Sequence, residues 1–297
     1  MKKYILNIAF FFSIIFVVDL AFGLAMNYLN QNARSGGVAK RSYLFERADE
    51  DIIMFGSSRM CHHYVSSQIA DSLGMTCFNA GEDGYGIVYT SGVLNHLIES
   101  GRVPKMIIYD VMSFDVYKDD NSKYLTLLKP YSNYPEVMEV IKRISANENL
   151  KLKSNLYKYN TVCLSTLFAN LKAENFNMGY EPSYRKLDYE PKKVEGSSLS
   201  IHEIDTVKMN MMQEFIDKCN ENNINLYFTL SPEYSPTAAD HYEDVKKLSS
   251  ENGIPFIDLK DIDLSYKREY FADPVHLNDE GAHYYTAKLI STLKEYI

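Results

Sequence analysis

The chain has 297 residues, with no tryptophan, only 4 cysteines and only 7 histidines. Each scarcity excludes something. Cys61, Cys77, Cys163 and Cys219 are widely spread and match no ligand spacing, so no zinc module and no metal site is expected. Scattered thiols are buried ones by default, although a Cys61–Cys77 disulfide would be compatible with an exported protein. Basic residues are outnumbered, 31 Lys and Arg against 39 Asp and Glu. The net charge of −8 argues against non-specific nucleic-acid binding, which needs dense cationic surface. Internal repeats and low-complexity runs are absent, and a hydrophobic content of 46% describes a folded chain. The 24 tyrosines fit either carbohydrate stacking or plain compositional bias.

What is present starts at the N-terminus. "MKKYILNIAFFFSIIFVVDLAFGLAMNYLN" opens with two lysines and then carries a single charge, Asp19. A helix of about 20 apolar residues crosses the hydrocarbon core. Lys2 and Lys3 should remain cytoplasmic, which sends the rest across the membrane. Residues 1–29 are therefore a transmembrane anchor or a signal. The apolar stretch is long for a signal-peptide core, which favours an uncleaved anchor. Either way the globular part is periplasmic or extracellular. Asp19 would cost about 2.5–3.5 kcal/mol at mid-membrane. It either reaches the interface from the outer half or pairs with a polar group on another membrane protein. Residues 30–47 read as a polar linker, and 48–297 as the globular domain.

Within that domain, "DIIMFG", "MTCFNAG", "KMIIYDVM", "INLYFTLSP" and "IPFIDL" are short, near-continuous apolar runs, as expected for parallel strands buried on both faces. Ile204, Val207, Met211, Phe215 and Cys219 recur at helical spacing, and so do Ala282, Tyr285, Leu289 and Leu293. The methionines near 209–212 read as core filler. The alternation predicts an α/β fold: a three-layer, doubly wound parallel sheet of five strands, flavodoxin-like. Residues 116–200 break the alternation and read as a mostly helical insertion between strands three and four.

Two short stretches carry chemistry. "FGSS" places Ser57 and Ser58 directly after strand one, where ligands bind in open parallel sheets. "DPVHLND" places Asp273 three residues before His276, ahead of a helix that Asn278 or Asp279 would cap. A serine hydroxyl is a poor nucleophile until an imidazole accepts its proton. A carboxylate on the other ring nitrogen fixes the tautomer. His62 and His63 compete with His276 as the base, but lie on a helix expected to turn them away.

With "NAGEDGYG" after strand two, these blocks resemble the SGNH/GDSL hydrolase family over about 180 residues of core. The resemblance implies Ser58 as nucleophile, Asp273 and His276 as its relay, and the backbone N–H groups of Ser58 and Gly84 as oxyanion donors. Ser57 stands where the family has aspartate, similar to the GSS form of its membrane-anchored branch. The third block, Gly-x-Asn-Asp, is missing: "IIYDVMSFD" has Ser113 nearest, with Arg59 as a second substitute donor. Losing such a donor can cost ~10²–10³ in rate. The implied activity is acyl transfer or ester hydrolysis on a cell-envelope polysaccharide, without a cofactor. The implied partner is a multi-span membrane O-acyltransferase, as in the D-alanyl-transfer and alginate O-acetylation systems. A catalytically idle glycan- or partner-binding protein and a secreted esterase on small or lipid esters are the alternatives.

Overall fold

A computed structural model describes residues 1–173, 177–191, 203–234 and 242–297. Helix α1 (Lys2–Gln31) is followed by α2 (Gly36–Glu46) and then by β1 (Ile52–Gly56), α3 (Ser58–His63), α4 (Ser66–Leu73) and β2 (Cys77–Asn79). Next come α5 (Ile87–Glu99), β3 (Met106–Asp110), and four helices: α6 (Pro135–Ile144), α7 (Glu148–Lys151), α8 (Asn155–Tyr159) and α9 (Cys163–Phe168). The chain ends with α10 (Thr206–Glu221), β4 (Asn225–Leu230), α11 (Glu243–Glu251), β5 (Phe256–Asp258) and α12 (Asp279–Leu293).

All five expected strands form, paired in parallel in the order β2-β1-β3-β4-β5. Their apolar runs are continuous because both faces are covered. On one face Ile53, Phe55, Ile107 and Phe228 pack with Val93, Leu97, Met212 and Phe215 from α5 and α10. On the other, Met54, Ile108 and Tyr227 pack with Ile69, Tyr285 and Leu289 from α4 and α12. The direction of chain progression reverses between β1 and β3, and the crevice at the strands' C-terminal ends lies there.

Three expectations meet a different outcome. Residues 30–47 are not a loose polar linker: α2 buries Val38, Lys40, Ser42, Leu44 and Phe45. Its buried polar groups have partners, Lys40 with Glu181 and Ser42 with the Gln31 carbonyl, which is how so polar a segment joins a core. The insertion is helical over α6–α9, but 177–191 runs without regular helix back to the sheet, and 192–200 lie outside the described residues. All four cysteines are free thiols, so the Cys61–Cys77 bridge does not form. Instead Cys61 lies 3.8 Å from the Lys40 ammonium.

Asp19 finds its partner within the chain. Its carboxylate accepts hydrogen bonds from Ser154 Oγ (2.7 Å), the N–H groups of Asn155 and Leu156 (2.9 Å each) and Asn155 Nδ2 (3.1 Å). The first half of α1 is exposed throughout, whereas Gly23, Met26 and Asn30 are buried against the body.

Candidate active site

The site begins with a corner. Gly56 ends β1 at φ +153°, and a Cβ there would stand 2.9 Å from the Asp110 carbonyl, so the strand can turn this sharply only with glycine. Ser57 is buried, and half-buried Ser58 is the first residue of α3. The N–H groups of a helix's first turn have no intrahelical acceptor, so α3 presents donors beside the Ser58 hydroxyl.

The histidine arrives on a pinned loop. Asp273 Oδ1 accepts the N–H groups of Val275 and His276, both at 2.9 Å. The Ala272 N–H donates to the His276 carbonyl, closing the turn. Asn278 caps α12 by accepting from Gly281 N–H. This geometry sets the His276 ring: Nδ1 lies 2.9 and 3.0 Å from the two Asp273 oxygens, and Nε2 lies 2.7 Å from Ser58 Oγ. Residues 218 apart in sequence are thus in direct contact. Partial burial raises the Asp273 carboxyl, but the ring and backbone donors outweigh it and hold it below the ordinary value.

His63 secures the same loop from beneath. Its Nδ1 bonds Ser231 Oγ at 3.0 Å, and its Nε2 accepts the N–H of Leu277 at 2.9 Å. Because Nε2 accepts, His63 is the neutral Nδ1–H tautomer. Burial, with Arg59 nearby, pushes its pKa well below the ordinary histidine value. Both nitrogens are occupied, so His63 is no base for Ser58. It fastens the Asp273–His276 loop to the helix that carries the serine.

The expected oxyanion donors divide. Gly84, at φ +74°, does come to the nucleophile's turn, but its N–H donates to Ser57 Oγ at 2.9 Å. Arg59 is consumed elsewhere: its Nη1 pairs with Glu233 (2.7 Å), its Nη2 donates to the Val111 carbonyl (2.7 Å), and its Nε lies 3.2 Å from Asp110. Ser113 is half-buried in a 3-10 turn, Ser113–Asp115, and no hydrogen bond joins it to Ser58, Gly84 or His276 among the described residues. Its neighbour Asp115 ties the two loops together. It accepts from Ile87 N–H (2.7 Å), Tyr109 OH (2.9 Å) and Met112 N–H (2.8 Å). Burial raises its pKa to about 6, against the lowering pull of those donors.

Beside the serine opens a cleft of about 470 Å³, whose lining includes His62, Asp83, Tyr184, Arg185, Asp273 and His276. His62 therefore does not turn away: its ring centroid is 5.6 Å from that of His276. Its Nδ1 is held 2.7 Å from the Glu181 carbonyl. The four-residue spacing from Ser58 puts both on one side of α3, a signal available in the sequence. Tyr184 and Arg185 come from the 177–191 strap, which is fixed by Glu181 N–H to the Cys61 carbonyl (2.9 Å) and by Asp279 N–H to the Ser183 carbonyl (2.7 Å). No local feature of the sequence pointed there.

No protein-family profile and no curated protein matches the chain. Among solved structures it is similar to a Bacteroides fragilis protein assigned as an acylhydrolase, at 10% identity and a TM-score of 0.39, covering 84% of this chain and 89% of that one. It is also similar to an acetyl xylan esterase, at 14% identity and a TM-score of 0.37, covering 81% of this chain and 98% of that one. Both likenesses are distant, and the fold and chemistry rest on the chain's own geometry.

Proposed function

We propose that this chain is a serine-dependent enzyme of the SGNH/GDSL type that hydrolyses or transfers O-acyl esters through an acyl-Ser58 intermediate. The observation that carries the reading is the 2.7 Å contact between Ser58 Oγ and a His276 ring whose other nitrogen is held by Asp273. His276 Nε2 takes the hydroxyl proton as Ser58 Oγ adds to the ester carbonyl. The tetrahedral oxyanion collapses, the C–O bond to the leaving alcohol breaks, and His276 returns the proton to that alcohol. A water or a second hydroxyl then gives its proton to His276 and attacks the acyl carbon, the acyl C–O bond to Ser58 breaks, and His276 returns the proton to Ser58 Oγ. The Ser58 N–H stabilises the oxyanion, together with the Ser57 hydroxyl that Gly84 orients. No step requires a metal or a cofactor.

The substrate class is an ester on a cell-envelope polysaccharide. Supporting this are an open cleft with an exposed tyrosine and a guanidinium on its lip, and a body joined to a helix apolar enough to span a membrane. The packing of Gly23, Met26 and Asn30 favours an α1 that stays attached, with the domain outside the cytoplasm and a multi-span O-acyltransferase as donor. A fluorophosphonate probe applied to the detergent-solubilised chain tests the chemistry. Labelling of the wild type that vanishes in Ser58→Ala is expected. Equal absence of labelling in both would favour the idle-scaffold reading, for which the missing asparagine speaks. Release of α1 in cells, seen by N-terminal sequencing, would favour a secreted esterase.

A further inference from the structure

The helical insertion turns an apolar face outward. Leu150, Leu156, Leu164, Leu167, Phe168 and Leu171 are between 42% and 77% exposed. On α9 and just beyond it the pattern is inverted relative to an ordinary surface helix. Cys163, Thr166 and Ala169 face the body, while 164, 167, 168 and 171 recur three and four apart on the outside. Contiguous exposed leucine and phenylalanine on a folded domain mark an interaction surface.

Its position says what covers it. The face is fastened to the distal half of α1 at successive levels: Leu156 N–H to Asp19, Cys163 Sγ to Met26 Sδ at 3.8 Å, and Asn170 Nδ2 to the Leu29 carbonyl at 2.9 Å. From Lys2 to Asp19 a helix rises about 26 Å. A hydrocarbon layer of about 30 Å that starts at Lys2 therefore ends within one helical turn of Asp19, the level at which the insertion first touches α1. Met26 and Leu29, and with them α9, then lie at headgroup depth. Lys153 and Lys172 border the face, are exposed and form no ion pair among the described residues, as cations at a lipid interface do.

We propose that the outward face of α8 and α9 lies in the interfacial layer of the bilayer that α1 enters, so that the domain rests on lipid at a fixed orientation. The inference is independent of the Ser58 chemistry and depends only on α1 spanning the membrane. A chain without tryptophan makes the test direct. Single-tryptophan variants Phe11→Trp, Phe168→Trp and Tyr296→Trp of the full chain are reconstituted into phosphatidylethanolamine/phosphatidylglycerol vesicles with no other protein, and quenching by brominated lipids is read.

F11W should be quenched most by lipids brominated deep in the acyl chain. F168W should be quenched by lipids brominated near the glycerol, about twofold or more above Y296W, as interfacial insertion requires. F168W quenched no more than Y296W, with F11W quenched, overturns the proposal and leaves the span standing. So does F168W that becomes shielded only when a second membrane protein is added. Absence of quenching in F11W overturns the proposal through the anchor itself. Ser58→Ala introduced into F168W should leave the quenching unchanged, which separates this result from any failure of the catalytic reading.

Discussion

Replacing Asp273 by asparagine is the sharpest perturbation of the relay. The carboxylate stands 2.9 Å from His276 Nδ1, and its side chain is 45% exposed. At that distance an imidazolium–carboxylate attraction is about 6 kcal/mol at an effective dielectric of ~20 and about 1.4 kcal/mol in bulk water. Half-exposed Asp273 lies between these limits, so losing its charge should slow acylation by about 10²–10³, less than the ~10⁴ seen for a buried aspartate in such a relay. Asparagine also offers an N–H to Nδ1, which would leave the proton on Nε2, where it cannot accept from Ser58. Its oxygen can still accept the Val275 and His276 N–H groups, so the loop should hold. Asp273→Ala loses those acceptors as well, and the amides of Val275 and His276 should exchange hydrogen faster than in Asp273→Asn. The assay is the pseudo-first-order rate of fluorophosphonate labelling together with p-nitrophenyl acetate hydrolysis. An Asp273→Asn rate within about threefold of wild type, about 0.7 kcal/mol, would refute the reasoning.

His63→Phe should strand the buried Leu277 N–H at a cost of about 1–3 kcal/mol, lowering the melting temperature and slowing Ser58 labelling. His63→Gln, which can accept that N–H, should recover part of both. Ser57→Ala removes the hydroxyl that Gly84 orients, and labelling should fall by about 10–10² while its final stoichiometry is kept. An unchanged rate would remove Ser57 from the oxyanion site. Asp115 has its carboxyl raised from the ordinary 3.8 to about 6. Because the native state favours the protonated form, its contribution is full below pH 3.8 and is lost as pH rises through about 6. That amounts to roughly 3 kcal/mol at 1.36 kcal/mol per unit. Thermal unfolding of Asp115→Asn should therefore show a smaller drop between pH 4 and pH 7 than the wild type.

How far the sequence could be read follows from which signals are local. The strands were legible because burial on both faces leaves unbroken runs such as "KMIIYDVM". Ser58, Asp273 and His276 were legible because two tight turns must be built from neighbouring residues. Helix α2 was not, since "GGVAKRS" buries its lysine against Glu181, 141 residues away, and its serine against a backbone carbonyl. Asp19 posed the same difficulty: nothing near it names Ser154 or Asn155. The strap that brings Tyr184 and Arg185 to the cleft is positioned by backbone bonds to Cys61 and Asp279 and has no periodicity to read. His62 was a different kind of miss, because four-residue spacing on one helix already implied its proximity to Ser58.

The distance along the chain between the two reacting side chains has a consequence for timing. A polypeptide leaving the ribosome presents Ser58 long before His276, which follows 218 residues later. At about 5–20 residues per second, that interval is roughly 10–45 s. Throughout it the hydroxyl lacks the Asp273-held imidazole that contacts it in the folded chain. The Ser58–His276 contact therefore cannot form until the turn before α12 has arrived.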